Sequence, residues 1–170
     1  MTGKNHQTGT DRIFEAIEKI KETENTKYVI NLQGDEPQIS TDDIINLDKS
    51  VRKLNAKIAT LGTDIKDKKI LENKNIVKVS VNESFRTNNH SPALNFFRNA
   101  KDFDEKNTYH HIGIYQYEIL TLKKFINLKQ TENEKKFRLE QLRALDNGIQ
   151  IDVMYTQNSP IGVDLSLIHI

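Results

Sequence analysis

The segment YVINLQGDEPQIS, residues 28–40, places two carboxylates directly after an apolar run. The run 28–32 is nearly continuous, which is typical of a buried parallel strand. Gly34 and Pro37 then turn the chain out of the sheet, because glycine permits a tight turn and proline cannot donate to a ladder. Asp35 therefore follows the carboxyl end of a strand, where ligands of open α/β sheets bind and where a carboxylate can hold Mg²⁺ with a substrate phosphate. Aspartate and glycine are also common in solvated turns, and spacing alone favours that interpretation.

Helices and strands alternate around this segment. Residues 11–22 and 41–54 have helical periodicity, and their charges are arranged as helix dipoles favour. Two more helices are predicted at 119–128 and 135–148, the second ending at Gly148. Further strands are predicted at 56–65, 75–81, 93–98, 109–117 and 149–156. The pattern predicts an α/β fold with a mixed sheet and an antiparallel excursion around residues 75–118.

Composition excludes several classes of protein. The chain has 170 residues, which fit one domain with a sizeable core. Charged residues make up 29% and nearly cancel, to a formal +1, so neither a general nucleic-acid binder nor a membrane-surface binder is indicated. The absence of cysteine excludes disulfides, thiolate catalysis and cysteine-ligated zinc. No segment is apolar over the length of a bilayer and the N-terminus is too polar for a secretory signal, so we expect a soluble protein compatible with the cytosol.

Five segments, taken in order, resemble the 3-deoxy-manno-octulosonate (KDO) cytidylyltransferase family, also called CMP-KDO synthetases. They are HQTGTDR (6–12), NLQGDEP (31–37), NKNIVKV (73–79), HHIGIYQY (110–117) and LEQLR (139–143), with GVD (162–164) as a short sixth. Each segment is weak alone, and their order and intervals carry the resemblance. It implies a cytoplasmic homodimeric enzyme that forms CMP-KDO and pyrophosphate from CTP and KDO for the lipopolysaccharide inner core. The implied architecture is a Rossmann-like sugar-nucleotidyltransferase fold.

The resemblance also implies roles for individual residues. Asp35 of QGDEP and Asp164 of GVD correspond to catalytic carboxylates that bind Mg²⁺, which neutralises charge on a triphosphate. Gly9, Thr10 and Gln33 correspond to positions near the cytosine and ribose, so that together with Asp35 they form the expected nucleotide site. The expected KDO site consists of Arg98, His111, Glu140 and Gln141.

For some residues a purely structural role is an alternative to a functional one. Asp11 is expected to cap the helix that follows it, whereas Arg12 is open between packing and function. For Arg143, one turn beyond Glu140, a surface pair with Glu140 is the alternative to a functional role. Lys78 is open between a functional role and a solvated strand face, and the solvated face is the favoured interpretation.

The two ends of the chain differ from the family pattern. Residues 1–164 are expected to form an incomplete cytidylyltransferase domain that lacks its first βα unit, including a glycine- and arginine-containing loop that holds the triphosphate. Residues 165–170 (LSLIHI) resemble a translated sequencing adapter, so we expect a non-native tail. We therefore expect the chain as written to be inactive and poorly soluble. The segment ALNFFRNAKDF also departs from the family pattern at Arg98.

Two other functions compete with this interpretation. One is a cytidylyltransferase for another 2-keto sugar acid, such as a sialic acid, which a substrate panel would identify. The other is a non-catalytic sugar-binding or assembly module, which should not show Mg²⁺-dependent CTP binding.

Overall fold

A computed structural model describes residues 2–3, 6, 8–20, 25–34, 38–99, 104 and 106–159. Within these ranges one mixed sheet is flanked by helices on both faces. The strands are β1 (Tyr28–Leu32), β2 (Ile58–Thr63), β3 (Lys78–Val81), β4 (His90–Phe97), β5 (Thr108–Glu118) and β6 (Ile151–Tyr155). The helices are α1 (Gly9–Lys19), α2 (Thr41–Leu54), α3 (Lys68–Glu72), α4 (Ile119–Ile126), α5 (Glu132–Phe137) and α6 (Gln141–Asp146).

The sheet has the strand order β1-β5-β2-β6-β4-β3, with an additional β5–β3 pairing. The predicted antiparallel excursion is confirmed, since β3 pairs antiparallel with both β4 and β5. The prediction of a parallel strand at 28–32 is wrong for the described part of the chain, where β1 pairs antiparallel with β5. Tyr28 and Ile30 pack on one face and Val29 on the other, so the apolar run reflects contact on both faces rather than strand direction.

Helices pack against both faces of the sheet. On one face, Leu47 and Val51 of α2 are buried among residues of β2, β5 and β6. On the other face, α1, α4 and α6 contribute Ile17, Leu122 and Leu142 to a second core cluster. Each fully buried aliphatic side chain of this kind stabilises the fold by about 1.5–3 kcal/mol.

Local capping determines where the first two helices begin and end. The predicted bounds of α2 are confirmed: Ser40 accepts a hydrogen bond from the Asp43 amide at 3.1 Å, and Asn55 ends the helix with φ 50°. Helix α1 begins at Gly9 because Thr8 and Asp11 form a reciprocal capping box. The capping role expected for Asp11 is therefore confirmed.

The region predicted as one helix at 135–148 is two helices. Arg138 ends α5 in the left-handed conformation, with φ 54°, and Leu139 then enters the core. Glu140 stands at the N-cap of α6. Gly148 follows α6 with φ 69°, as the sequence predicts. Among the described residues, no helix has the length and apolarity needed to cross a bilayer.

Candidate functional site

Three ring side chains of β5 line the sheet face covered by α1, α4 and α6. The rings of His111 and Tyr115 lie 5.4 Å apart between centroids, and those of Tyr115 and Tyr117 stack at 5.8 Å. All three side chains are buried. This row connects the segment around His111 with the helix N-termini of α1 and α6.

His111 is a buried, neutral hydrogen-bonding group. Its Nε2 lies 3.0 Å from the Thr60 hydroxyl, which is also 2.7 Å from the Ile114 carbonyl oxygen. Because the hydroxyl has one proton and the carbonyl can only accept, we assign that proton to Ile114 and the other hydrogen bond to a donating Nε2. Burial lowers the His111 pKa to about 3, with the charges of His110 and Arg98 adding to the effect. The imidazole can therefore exchange hydrogen bonds with a ligand at neutral pH without carrying charge.

Glu140 places a carboxyl group at the other end of the row. Its side chain is 28% exposed, and its Oε1 is buried without a hydrogen-bond partner among the described residues. Burial raises the Glu140 pKa, whereas the hydroxyls of Thr8 and Thr10 and the charge of Arg143 oppose that rise. An oxygen that is desolvated and unpartnered in this way is a ready acceptor for ligand hydroxyl groups.

Tyr115 was missed by the sequence interpretation. Its hydroxyl is buried and makes no well-formed hydrogen bond among the described residues, and burial raises its pKa well above the ordinary value, while the nearby Thr60 side chain opposes that rise. Tyr117 lies within reach of the Thr10 side chain and of Glu140, both of which act on its pKa. The signal for Tyr115 was available, because a residue an even number of positions from His111 faces the same side of a strand.

Arg98 and Lys78 meet at the turn that precedes β3. The Arg98 guanidinium donates to the Asn75 carbonyl at 2.5 Å. The Lys78 ammonium donates to the carbonyls of Asn73, Ile76 and Arg98 at 2.7, 2.9 and 2.9 Å. Lys78 is fully buried, so the prediction of a solvated side chain is wrong. Arg98 is near enough to His111 for its charge to lower the histidine pKa.

The sequence suggested that Arg143 could pair with Glu140 at the surface. In the structure Arg143 has a different partner. It is buried and makes two hydrogen bonds to Glu134, at 2.8 and 2.5 Å. Its Nη2 lies 3.8 Å from Glu140 Oε1. Arg12, which the sequence left open, is exposed and donates to the Thr2 hydroxyl at 3.0 Å.

The remaining predicted residues have diverse positions. Gly9 and Gln141 are the first residues of α1 and α6, and Gln33 is exposed directly after β1. Asp35 and Asp164 lie outside the described residues, as does the predicted tail at 165–170. Within the described ranges, no group of three or more histidine, aspartate or glutamate side chains could hold a metal.

A buried carboxylate joins the described segments that flank Asp35 and Asp164. Asp43 accepts hydrogen bonds from the Thr156 hydroxyl at 2.6 Å and from the Asn158 side-chain amide at 2.9 Å. The same Asn158 side-chain amide lies 3.3 Å from the Ser40 hydroxyl. The chain following Asp35 and the chain preceding Asp164 are therefore tied together at the N-terminus of α2.

Comparisons with known proteins agree with the resemblance seen in the sequence. A family model for cytidylyltransferases matches residues 1–151. Relatives named 3-deoxy-manno-octulosonate cytidylyltransferase from Chelativorans sp. (strain BNC1) and Brucella anthropi are 40% identical over 170 residues and 38% identical over 164 residues. Each comparison covers 96% of this chain and 66% of the relative, so the chain spans about two thirds of the length of the relatives.

Solved structures show the same architecture. A CMP:2-keto-3-deoxy-manno-octonic acid synthetase complexed with CTP aligns with a TM-score of 0.81 at 34% identity, over 96% of this chain and 66% of that chain. A mannose-1-phosphate geranyltransferase from Thermus thermophilus aligns with a TM-score of 0.58 at 12% identity, over 87% of this chain and 50% of that chain, which shows the fold alone. The predicted α/β nucleotidyltransferase fold with a mixed sheet is thereby confirmed.

Proposed function

Because the chain belongs to the cytidylyltransferase family, we propose that its function is cytidylyl transfer from CTP to KDO with release of pyrophosphate. One structural observation supports this proposal in addition to the family match. The segment TGTD at the start of α1 and the segment LEQLR at the start of α6 meet at Glu140, beside a row of buried rings that ends at His111. A site for a nucleotide and a site for a polyhydroxylated acid would therefore share one sheet face.

The proposed nucleotide contacts lie at the start of α1 and the end of β1. Thr10 and the backbone at Gly9 would contact the cytidine, and Gln33 offers amide groups to the same ligand. A side-chain carbon added at Gly9 would meet no described atom within 4 Å, so space for a ligand exists there.

Gly9→Ala separates ligand binding from stability. Because Gly9 is helical and unobstructed, alanine should stabilise the free protein by about 0.4–1 kcal/mol. CTP affinity measured by calorimetry should nevertheless fall about tenfold, since the methyl group occupies the space proposed for the cytidine. Gly148→Ala, at φ 69°, should destabilise the fold and leave CTP affinity unchanged. Unchanged CTP binding by Gly9→Ala would contradict the proposed location.

The proposed KDO contacts combine one cation with neutral and anionic hydrogen-bonding groups. Arg98 would bind the sugar carboxylate, since its charge is not compensated by an ion pair among the described residues. His111, Glu140 and Gln141 would exchange hydrogen bonds with hydroxyl groups. Arg98 lies at one end of the row of rings and Glu140 at the other. The sugar would therefore lie with its carboxylate toward Arg98 and with hydroxyl groups toward Glu140.

The proposed reaction is an in-line displacement. The anomeric hydroxyl oxygen of KDO forms a bond to the α-phosphorus of CTP, the bond between that phosphorus and the pyrophosphate oxygen breaks, and the hydroxyl proton passes to bulk solvent. The contribution of the described residues is to bind both substrates on one face and to hold the nucleophile in position, which can supply much of the barrier reduction. The buried rings of β5 keep water from that face.

Asp35 and Asp164 are proposed to hold Mg²⁺. The proposal is supported by the hydrogen bonds that Asp43 accepts from Thr156 and Asn158, because they tie together the described segments nearest the two carboxylates. When bound, Mg²⁺ would neutralise charge on the triphosphate.

Calorimetry tests the metal assignment. CTP should bind the native chain more tightly with Mg²⁺ than with EDTA. Asp35→Asn or Asp164→Asn should reduce the ratio of these two affinities at least about tenfold. Asp42→Asn is a matched control, because Asp42 is exposed on the first turn of α2. CTP binding that is independent of Mg²⁺ would contradict the assignment and favour the binding-module alternative.

Pyrophosphate release with a substrate panel tests the function as a whole. In a protein that spans the full length of these relatives, KDO is expected to support turnover and N-acetylneuraminate is not, in line with the names of the two relatives. A cytoplasmic homodimer is part of the same proposal, and light scattering after size exclusion tests the dimer. Preference for N-acetylneuraminate would replace KDO by another 2-keto sugar acid.

A further inference from the structure

A buried ion pair lies directly behind Glu140. The side chains of Arg143 and Glu134 are 4% and 5% exposed and are joined by two parallel hydrogen bonds. The Arg143 guanidinium also lies over the Phe125 ring, 4.8 Å from its centroid. Burying two charges costs several kcal/mol per ion before their attraction is counted, so such a pair is weakly explained by stability alone.

The guanidinium nitrogen that donates to Glu134 Oε1 also faces Glu140. Arg143 Nη2 lies 3.8 Å from Glu140 Oε1, one turn along α6. Because Glu134 and Phe125 fix the guanidinium from two other sides, it cannot swing away to solvent. The Glu140 carboxyl therefore has a fixed positive charge on its protein side and the ring row of β5 on the other.

We propose that Arg143 is a positioning residue, held by Glu134 and Phe125, that keeps the Glu140 carboxylate ionised and oriented as an acceptor for sugar hydroxyl groups. The identity of the sugar as KDO rests on the proposed function. The ionisation of the Glu140 carboxylate does not rest on the proposed function, because it is determined within the free protein.

The charges around Glu140 oppose one another. Burial and the Asp11 carboxylate on α1 favour the protonated form, whereas Arg143 on α6 and the hydroxyls of Thr8 and Thr10 favour the carboxylate. From β5, Tyr115 and Tyr117 face Glu140, and both are neutral because burial raises their pKa values. Glu134 on α5 acts through Arg143, whose charge it compensates.

This arrangement predicts opposite effects for the two members of the ion pair. Removing the Glu134 charge leaves Arg143 uncompensated, so Glu134→Gln should lower the Glu140 pKa. Removing Arg143 as well should raise the Glu140 pKa above its native value, because the nearer cation is lost. A purely structural role for the pair would not give shifts of opposite sign.

The titration is measured by carbon NMR on the free protein with ¹³C-labelled glutamate carboxyl groups, with the Glu140 signal assigned by its loss in Glu140→Gln. Glu134→Gln is compared with Glu134→Gln/Arg143→Gln, since neither variant leaves an unpaired buried carboxylate at Glu134. Arg52→Gln, which removes an exposed pair with Asp48 on the opposite layer, is the control and should not move the Glu140 signal. Shifts of the same sign, or no shift, would overturn the proposal.

KDO calorimetry then separates the two proposals. At pH 7 the double variant should bind KDO about tenfold more weakly than Glu134→Gln, because more of its Glu140 is protonated. If the NMR shifts are opposite but KDO affinity is unchanged in both variants and in Glu140→Gln, the positioning role is supported and the KDO assignment fails. If KDO affinity falls without opposite NMR shifts, the positioning role fails and the KDO assignment is supported.

Discussion

Glu140→Gln should weaken KDO binding by about 30–100-fold and leave CTP affinity unchanged. The carboxylate offers a buried, unpartnered oxygen, and hydrogen bonds to a charged acceptor contribute about 1.5–3 kcal/mol. Glutamine keeps the shape but replaces an accepting oxygen by a donor. Calorimetry with each ligand measures both affinities, and Glu132→Gln, 94% exposed on α5, is the matched control. Equal KDO affinity in the native and Glu140→Gln proteins would remove Glu140 from the sugar site.

The same substitution should change how stability depends on pH. Because burial raises the Glu140 pKa, the folded state binds more protons than the unfolded state between the ordinary glutamate pKa and the raised value. The free energy of unfolding therefore falls as pH rises through that window, and Glu140→Gln should remove this contribution. Urea unfolding across the window, compared with Glu132→Gln, measures the change.

Periodicity and capping predicted the elements whose bounds are set locally. Helix α2 begins and ends as expected because its early carboxylates and late basic residues are local signals, and Ser40 and Asn55 cap it at the same bounds. The break between α5 and α6 could not be predicted in this way. Arg138 takes a left-handed conformation where the buried Leu139 enters the core, which the helical pattern of the segment conceals.

The candidate site was predicted through the order of motifs rather than through their contacts. Thr10 and Glu140 were both expected in the site, but their proximity depends on the fold bringing the first turn of α1 to the N-cap residue of α6. The Glu134 partner of Arg143 was hidden because it lies on a separate helix beyond a break in the chain. Strand alternation places Tyr115 on the face of His111, but the burial of its hydroxyl depends on tertiary packing that the strand pattern does not show.

Lys78 shows most clearly how tertiary contacts override a strand pattern. Alternation along β3 suggested a solvated lysine, since charged residues are almost never fully buried without partners. The structure supplies the partners from outside the strand, in the carbonyls of the turn at 73–76 and of Arg98. The ammonium thus joins the turn before β3 to the end of β4.

Lys78→Met should therefore destabilise the fold by about 3 kcal/mol, because three carbonyls lose a charged donor. Burial lowers the Lys78 pKa from 10.5 to about 8, so the unfolded state binds more protons between these values. The stability of the native protein should accordingly rise with pH above about 8, and Lys78→Met should lack that rise. Urea unfolding between pH 7 and pH 10, with the exposed Lys53→Met as control, measures both effects. Lys78 also holds the backbone of Arg98, so Lys78→Met should lower KDO affinity as well as stability. An equal loss of stability and of KDO affinity in Lys53→Met would refute this explanation.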